Sequence, residues 1–377
     1  TELEYSAGDT VKITKATQFY AVRRKSNYYT VSYYLGNGST NAAYQKLTQT
    51  VEEGTVVTFA KVPARTGYVN QGWSSKKNSE KATAKAKCTV NKNITLYAVQ
   101  KKAVQLTFHR CDGSTWQKTT LAKGSSYSLP GVRDAEGYTF MGWSTKPMQS
   151  VSPQYEAEEK ITVNGNVDLY AVVFNRTTET DLTEDQLPQV DIYKYKQVIF
   201  VGDSRTEFME NVLTGMGESA TKNVKFVCSA GKGLDWFTTT GWAQLYSIVQ
   251  HDSNSILSKK TAVIFNFGVN DLSKSADYAE YYNWIAPQLK SKGCELYFMS
   301  VNPVNRLMLP NAGRADRSEA AVRSFNQYMK ANLSSAYTYI DMYSYLKSTG
   351  YSFASDHYGT GTVDDGLHYT TRTYKRI

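Results

Sequence analysis

Two patterns of apolar residues divide the chain. Up to about residue 174, apolar and polar positions alternate in short stretches punctuated by glycine, such as Tyr29 to Tyr34 and Val104 to Phe108. Alternation with period two turns one set of side chains to a core and the other to water, so half-buried antiparallel strands are expected. From Tyr193 onward, short continuous apolar runs alternate with segments of helical spacing. Strands are predicted at 197–202, 224–228, 262–267, 295–301 and 338–341, and helices around 206–214, 236–250, 277–291 and 317–333. Continuous β-branched runs suit strands buried on both faces, and the strand–helix order implies a parallel sheet wrapped by helices through right-handed crossovers. Between the two regions, 175–192 is Thr-rich and acidic without periodicity, and reads as a linker.

The β-rich part is internally repeated. Gly67-Tyr68 with Gly72-Trp73-Ser74 recurs 70 residues later as Gly137-Tyr138 with Gly142-Trp143-Ser144. Tyr97-Ala98-Val99 and Tyr170-Ala171-Val172 close the two units, and Tyr20-Ala21-Val22 closes an earlier, partial one. A repeat is architecture before it is chemistry. The units run over 1–25 (partial), 26–101 and 102–174, with the 193–377 region after the linker, and Trp73 and Trp143 are the expected anchors of two small cores.

These units resemble the Listeria–Bacteroides repeat, the internalin B-repeat type of module. Its Gly-Tyr-x-x-x-Gly-Trp core and Leu-Tyr-Ala ending appear as Gly67 to Trp73 with Leu96-Tyr97-Ala98, and as Gly137 to Trp143 with Leu169-Tyr170-Ala171. The resemblance implies β-grasp-like modules on a bacterial surface protein, without enzymatic activity of their own. Lys-rich inserts near Lys76–Lys87 and at Lys146–Lys160 depart from the usual unit length.

A chain of 377 residues with 41% hydrophobic content can build two to four domains. Its 29 tyrosines suit β-rich extracellular modules. Of the net +9 charge, residues 1–176 carry 23 Lys and Arg against 13 Asp and Glu, whereas 177–377 carry 20 against 21. A basic N-terminal half could meet anionic wall polymers or acidic glycans, although lysines that merely solubilise β-modules are the favoured reading. No nucleic-acid-binding motif is present, so no nucleic-acid partner is expected. No apolar run approaches transmembrane length. Cys88, Cys111, Cys228 and Cys294 have no metal-ligand spacing, and no metal or cofactor is expected. A Cys88–Cys111 disulfide stays open without support from the sequence, and Cys228 and Cys294, in or beside buried strands, read as small hydrophobes. No signal peptide is present, and the chain opens inside what reads as a repeat, so upstream sequence carrying any export signal is expected. After His368 only Thr371–Ile377 remains for a closing helix, leaving little chain for C-terminal packing.

Chemistry-bearing residues fall just beyond the predicted strand ends, the edge at which open α/β sheets bind ligands. Gly202-Asp203-Ser204 follows the first strand, Ser229-Ala230-Gly231-Lys232-Gly233 the second, and Gly268-Val269-Asn270-Asp271 the third. Asp365-Gly366-Leu367-His368 stands near the C-terminus. Taken alone, Ser204 reads as readily as a helix N-cap. The four ordered blocks together resemble the SGNH (GDSL-like) hydrolases, which implies a three-layer α/β domain with a parallel sheet that cleaves acyl esters. By that resemblance Ser204 is the nucleophile, His368 its base and Asp365 the partner of the imidazole. The oxyanion hole would draw on the Ser204 N–H, the Asn270 amide and a glycine N–H. Gly233 and Gly231 are both candidates for that glycine, with Gly233 favoured by its distance from the strand end. Arg205 departs from the family's motif, which has Leu there, and bears on substrate preference.

Arg205, Asp235 and Trp236 are candidate pocket residues, a core role for Trp236 being equally open, and Asp203 and Asp271 are expected to brace their turns. His357 follows Asp356 but lacks the Asp-x-x-His spacing, and is expected at the surface or facing substrate. His109 lies in a repeat and His251 ends a helix, where a cation opposes the dipole. Gly231-Lys232-Gly233 lacks the spacing of a phosphate loop.

The expectation is therefore an exported, extracellular or surface-attached bacterial serine esterase. It would cleave small acyl groups, O-acetyl above all, from a glycan, with repeats that meet a cell-wall or host-surface ligand. An inactive adhesin and a glycan acyltransferase working through the same acyl-enzyme are the alternatives.

Overall fold

The computed structural model describes residues 4–6, 8–21, 25–135, 137–147, 152–179, 195–217, 222–250, 260–309, 317–355 and 364–377. The chain forms two compact units, Thr1–Val104 with Thr120–Gly124, and Gln105–Thr119 with Ser125–Ile377.

In the first unit, Tyr28–Tyr34 pairs antiparallel with Gln49–Glu52 and parallel with the strand that starts at Ile94. Tyr68–Ser74 pairs antiparallel with residues 97–102, and Thr55–Thr58 with Lys87–Val90. Trp73 is the pin of this β-rich core. Its ring lies 4.9 Å from that of Tyr33, and its indole N–H donates to the Ala60 carbonyl at 2.6 Å. The same device recurs in the second unit, where the Trp143 N–H donates to Pro130 at 2.8 Å and its ring packs on Phe108 at 4.8 Å. In both, the acceptor stands 13 residues before the Trp, so the strand after the Gly-Tyr turn is locked to the loop that precedes it. The described residues before Tyr28 carry neither helix nor strand, and Tyr20 is 82% exposed.

The second unit joins the second repeat to an α/β region. Val167–Asn175 pairs parallel with residues 106–109 and antiparallel with Tyr138–Ser144, while Ser125–Ser128 pairs with Lys160–Val163. The α/β region holds a five-stranded parallel sheet of Tyr195–Gly202, Val224–Cys228, Lys260–Asn266, Cys294–Met299 and Tyr337–Ile340. In chain order the strands lie 2-1-3-4-5 across the sheet. The order reverses between strands one and three, which opens a crevice at their carboxyl ends.

The continuous apolar runs are explained by cover on both faces. Ile199, Val201, Val263, Phe265 and Phe298 pack against Tyr278, Tyr282 and Ile285 of the helix Ser275–Ser291 and against Phe325 and Met329 of Glu319–Asn332. Phe200 and Phe226 point the other way, into a cluster with Met209, Leu346 and Tyr374 that also contains Met141, Val172 and Phe174 of the second repeat.

The linker expectation is corrected at its start. Residues 175–179 finish a strand, turn once, and bury Glu179, whose carboxylate accepts from Ser352 (2.5 Å), Thr373 (2.6 Å) and Arg376 (2.7 Å). Residues 180–192 lie outside the described residues. Met342–Thr349, the paired strands Phe353–Ser355 and Asp364–Tyr369, and the closing helix Thr371–Arg376 complete the region. No disulfide joins Cys88, Cys111, Cys228 and Cys294; Cys294 is buried, and the Cys228 thiol donates to Glu210 at 3.4 Å.

Candidate active site

Ser204 is the first residue of the helix Ser204–Gly215, which springs directly from the first parallel strand. Asp203 caps that helix, its carboxylate accepting the Arg205 N–H at 3.0 Å. Because the cap is Asp203, the serine side chain is left for other work. The Ser204 N–H, at the first helical position, has no intrahelical acceptor. Burial pushes the Asp203 carboxyl up to about 6, against the pull of the Arg205 and Arg317 cations.

His368 comes from the strand Asp364–Tyr369, whose partner strand contributes Phe353 opposite Tyr369. The Asp-x-x-His spacing closes as a tight turn on that strand. One Asp365 oxygen accepts the Leu367 and His368 N–H groups at 2.8 and 2.7 Å, leaving the other free for the His368 ring. Gly366 makes the turn workable. It sits at φ +66°, and a Cβ there would strike the Asn305 carbonyl and Met308.

The three side chains meet. The Asp365 carboxylate lies 2.6 Å from His368 Nδ1, and His368 Nε2 lies 2.9 Å from Ser204 Oγ, all three residues being buried. A carboxylate can only accept, so Nδ1 carries the proton and the Nε2 lone pair faces the serine hydroxyl. Phe208, one helical turn beyond Ser204, packs its ring 4.7 Å from the imidazole.

Across the crevice, the turn after the third strand brings in Asn270. One of its amide hydrogens goes to the Lys232 carbonyl at 2.7 Å, and its oxygen accepts from the buried Arg317. Arg317 thereby fixes which way the amide faces. Asp271 receives the Leu234 N–H at 2.9 Å and the Tyr278 hydroxyl at 2.7 Å, and burial raises its carboxyl. Asn270 and Asp271 thus grip the backbone on either side of Gly233, whose missing Cβ leaves the room Asp271 occupies. Gly231 stands in the turn before, at φ +71° and open to solvent.

Of the three suggested pocket residues, Arg205 is the one turned inward. Arg205 is 2% exposed and spends its guanidinium on the carbonyls of Leu367 (3.0 Å), Asn302 (2.9 Å) and Pro303 (2.9 Å), so it braces the turn that carries Asp365 and His368 and is closed off from solvent. Asp235 is exposed and paired with Lys274 at 2.9 Å. Trp236 is half-buried against Phe267. His109 pairs with Asp168 at 2.8 Å in the second repeat, and His251 and His357 lie outside the described residues. Among the described residues no group of His, Cys, Asp and Glu could hold a metal ion, and no helix is long and apolar enough to cross a membrane.

Residues 29–99 and 105–172 match the Listeria-Bacteroides repeat domain. Over 169 residues, 44% of this chain, there is 27% identity with a protein of Evansella cellulosilytica named as a Gly-rich membrane protein; the aligned stretch spans only 18% of that protein. A solved structure from Bacteroides fragilis, described as an acylhydrolase, covers 53% of this chain and 86% of its own length at 16% identity and TM-score 0.31. One from Slackia heliotrinireducens, described as an SGNH hydrolase, covers 48% and 94% at 14% identity and TM-score 0.35. Likenesses this slight carry no weight for the chemistry, which rests on side-chain geometry alone.

Proposed function

We propose that the α/β region, 193–377, is a serine esterase domain of SGNH type with a three-layer architecture. The observation that carries this reading is the unbroken hydrogen-bonded chain from Asp365 through His368 to Ser204 at the reversal point of the sheet. An imidazole oriented by a carboxylate and facing a serine hydroxyl is the arrangement that makes that hydroxyl nucleophilic near neutral pH.

In the reaction, Ser204 Oγ attacks the ester carbonyl while His368 Nε2 takes its proton. The Asp365 carboxylate stabilises the resulting imidazolium. The tetrahedral oxyanion lies against the N–H groups of Ser204 and Gly233 and the remaining amide hydrogen of Asn270. Collapse breaks the bond to the alcohol, which leaves with the proton from His368. Water then repeats the sequence on the acyl-serine, the imidazole again acting as base, and releases the acid with Ser204 regenerated. Gly233 is the better glycine for the hole because its neighbours are bonded to Asn270 and Asp271.

The substrate we propose is a small acyl ester, O-acetyl above all, on a carbohydrate. The repeats would be β-grasp-like modules that hold the enzyme at a bacterial surface and meet a cell-wall or host-surface ligand. The repeat match over 29–99 and 105–172 supports the surface setting. The test is release of acetate from an activated acetyl ester and from O-acetylated xylan. Ser204→Ala should abolish both with the melting curve unchanged, and turnover retained by that variant would exclude Ser204.

A further inference from the structure

The second repeat is fastened to the loop that holds the Asp365–His368 turn. That loop, 302–305, is bonded directly to the Asp365–His368 turn, because the Asn305 N–H donates to the Gly366 carbonyl at 2.8 Å. The Asn305 side chain reaches the other way. Its amide donates to the Val132 carbonyl at 3.1 Å and to Asp134 Oδ1 at 2.9 Å, both in the second repeat. Asp134 is itself immobilised, its side chain buried, accepting from the Phe140 N–H at 2.9 Å and from Arg176 at 2.7 Å.

A second route runs to the same loop. Lys347 donates to the Met141 carbonyl of the repeat at 3.0 Å, and pairs with Glu156 of the repeat at 3.0 Å and with Glu319 at 2.6 Å. Glu319 in turn accepts the Val304 N–H at 3.0 Å. A module attached only for targeting has no need to send buried polar groups to the loop that holds this turn, since each such group must be fully satisfied or it costs stability.

We propose that the second repeat is a working part of the catalytic domain, in which Asp134 and Asn305 are positioning residues that fix the turn carrying Asp365 and His368. This rests on the esterase reading above for its kinetic consequence, but not for its structural one. A displacement of about 1 Å at a catalytic group costs up to about a hundredfold in rate.

The experiment uses the full chain with Asn305→Ala, Asp134→Ala, the double variant, and Arg306→Ala as control. Arg306 joins the same interface through Glu158 at 3.0 Å but makes no bond to the turn. Asn305→Ala should lower kcat by roughly tenfold to a hundredfold with KM within about twofold. It should also speed hydrogen exchange at the Leu367 and His368 amides. The double variant should be no slower than the worse single one, as expected when two residues act through one contact. Arg306→Ala should leave kcat and those amides unchanged. Unaltered exchange at the turn in Asn305→Ala overturns the proposal, as does an equal kcat loss in Arg306→Ala. Exchange needs no substrate, so it decides the link even where the wild-type protein hydrolyses no ester, and Asn305→Ala keeps the test open where Asp134→Ala fails to fold.

Discussion

Replacing Arg205 by Leu, the residue the SGNH motif carries, tests whether this side chain is a brace. The substitution removes three hydrogen bonds of 2.9–3.0 Å from a buried cation and leaves the buried carbonyls of Leu367, Asn302 and Pro303 without its donors. Tyr369 still donates to Pro303, so two carbonyls lose their side-chain donor. At roughly 1–3 kcal/mol for each unsatisfied buried group, offset in part by no longer burying a charge, the expected loss is about 3–4 kcal/mol. That is a large fraction of the roughly 5–15 kcal/mol that holds a domain together. Arg205→Lys should recover less than half, because one ammonium cannot span acceptors held apart by a planar fork. The assay is urea unfolding followed by tryptophan fluorescence and far-UV dichroism, with ester turnover measured on the folded fraction. Turnover should fall as well, since the Leu367 carbonyl adjoins His368. A Leu variant within about 0.5 kcal/mol of wild type, the scatter of ordinary surface changes, and fully active would refute the reasoning.

Two further perturbations probe buried charge. Asp203 titrates near 6 when folded, above the ordinary carboxylate range, so the folded protein holds its proton over a window where the unfolded chain has lost it. The contribution of this group to stability therefore falls as pH rises from about 4 to above 6 and is flat beyond. Asp203→Asn keeps a cap acceptor without the charge, and should gain up to about 3 kcal/mol over wild type at pH 8 and nothing below about pH 4; a gain independent of pH in melting or urea curves would contradict this. Lys347→Met strands Glu156 and Glu319 without their shared ammonium and should cost about 3–5 kcal/mol at pH 8. Burial raises the Glu156 carboxyl even with Lys347 present, so acidification to about pH 5 should shrink that deficit as one carboxylate takes up a proton, and a deficit that grows instead would count against the pair.

The strands and the blocks at their ends were legible in the sequence, because a strand buried on both faces must be continuously apolar and its exit must turn sharply. Gly202, Asn270 and the Asp365–His368 spacing were readable for that reason. Arg205 was not. Its acceptors lie 97, 98 and 162 residues away, and a motif position next to a nucleophile looks exposed until those carbonyls are seen. Arg317 and Phe208 escaped for the same cause, since neither carries a local pattern that marks it as serving Asn270 or His368. The second repeat was read as a separate module because its Gly-Tyr and Gly-Trp signature describes only its own core. What binds it to the α/β region is a scatter of polar residues, Asp134 and Glu156 among them, that in the sequence look like solvent-facing charge.

The central claim is that Ser204 is activated by His368. Stoichiometric reaction of the full chain with an aryl phosphonate, followed by peptide mapping, measures this most directly. The account predicts one phosphonyl adduct per chain, on Ser204, formed at a rate that collapses in His368→Ala. An adduct on another residue, or equal labelling of Ser204 with and without the imidazole, would contradict it.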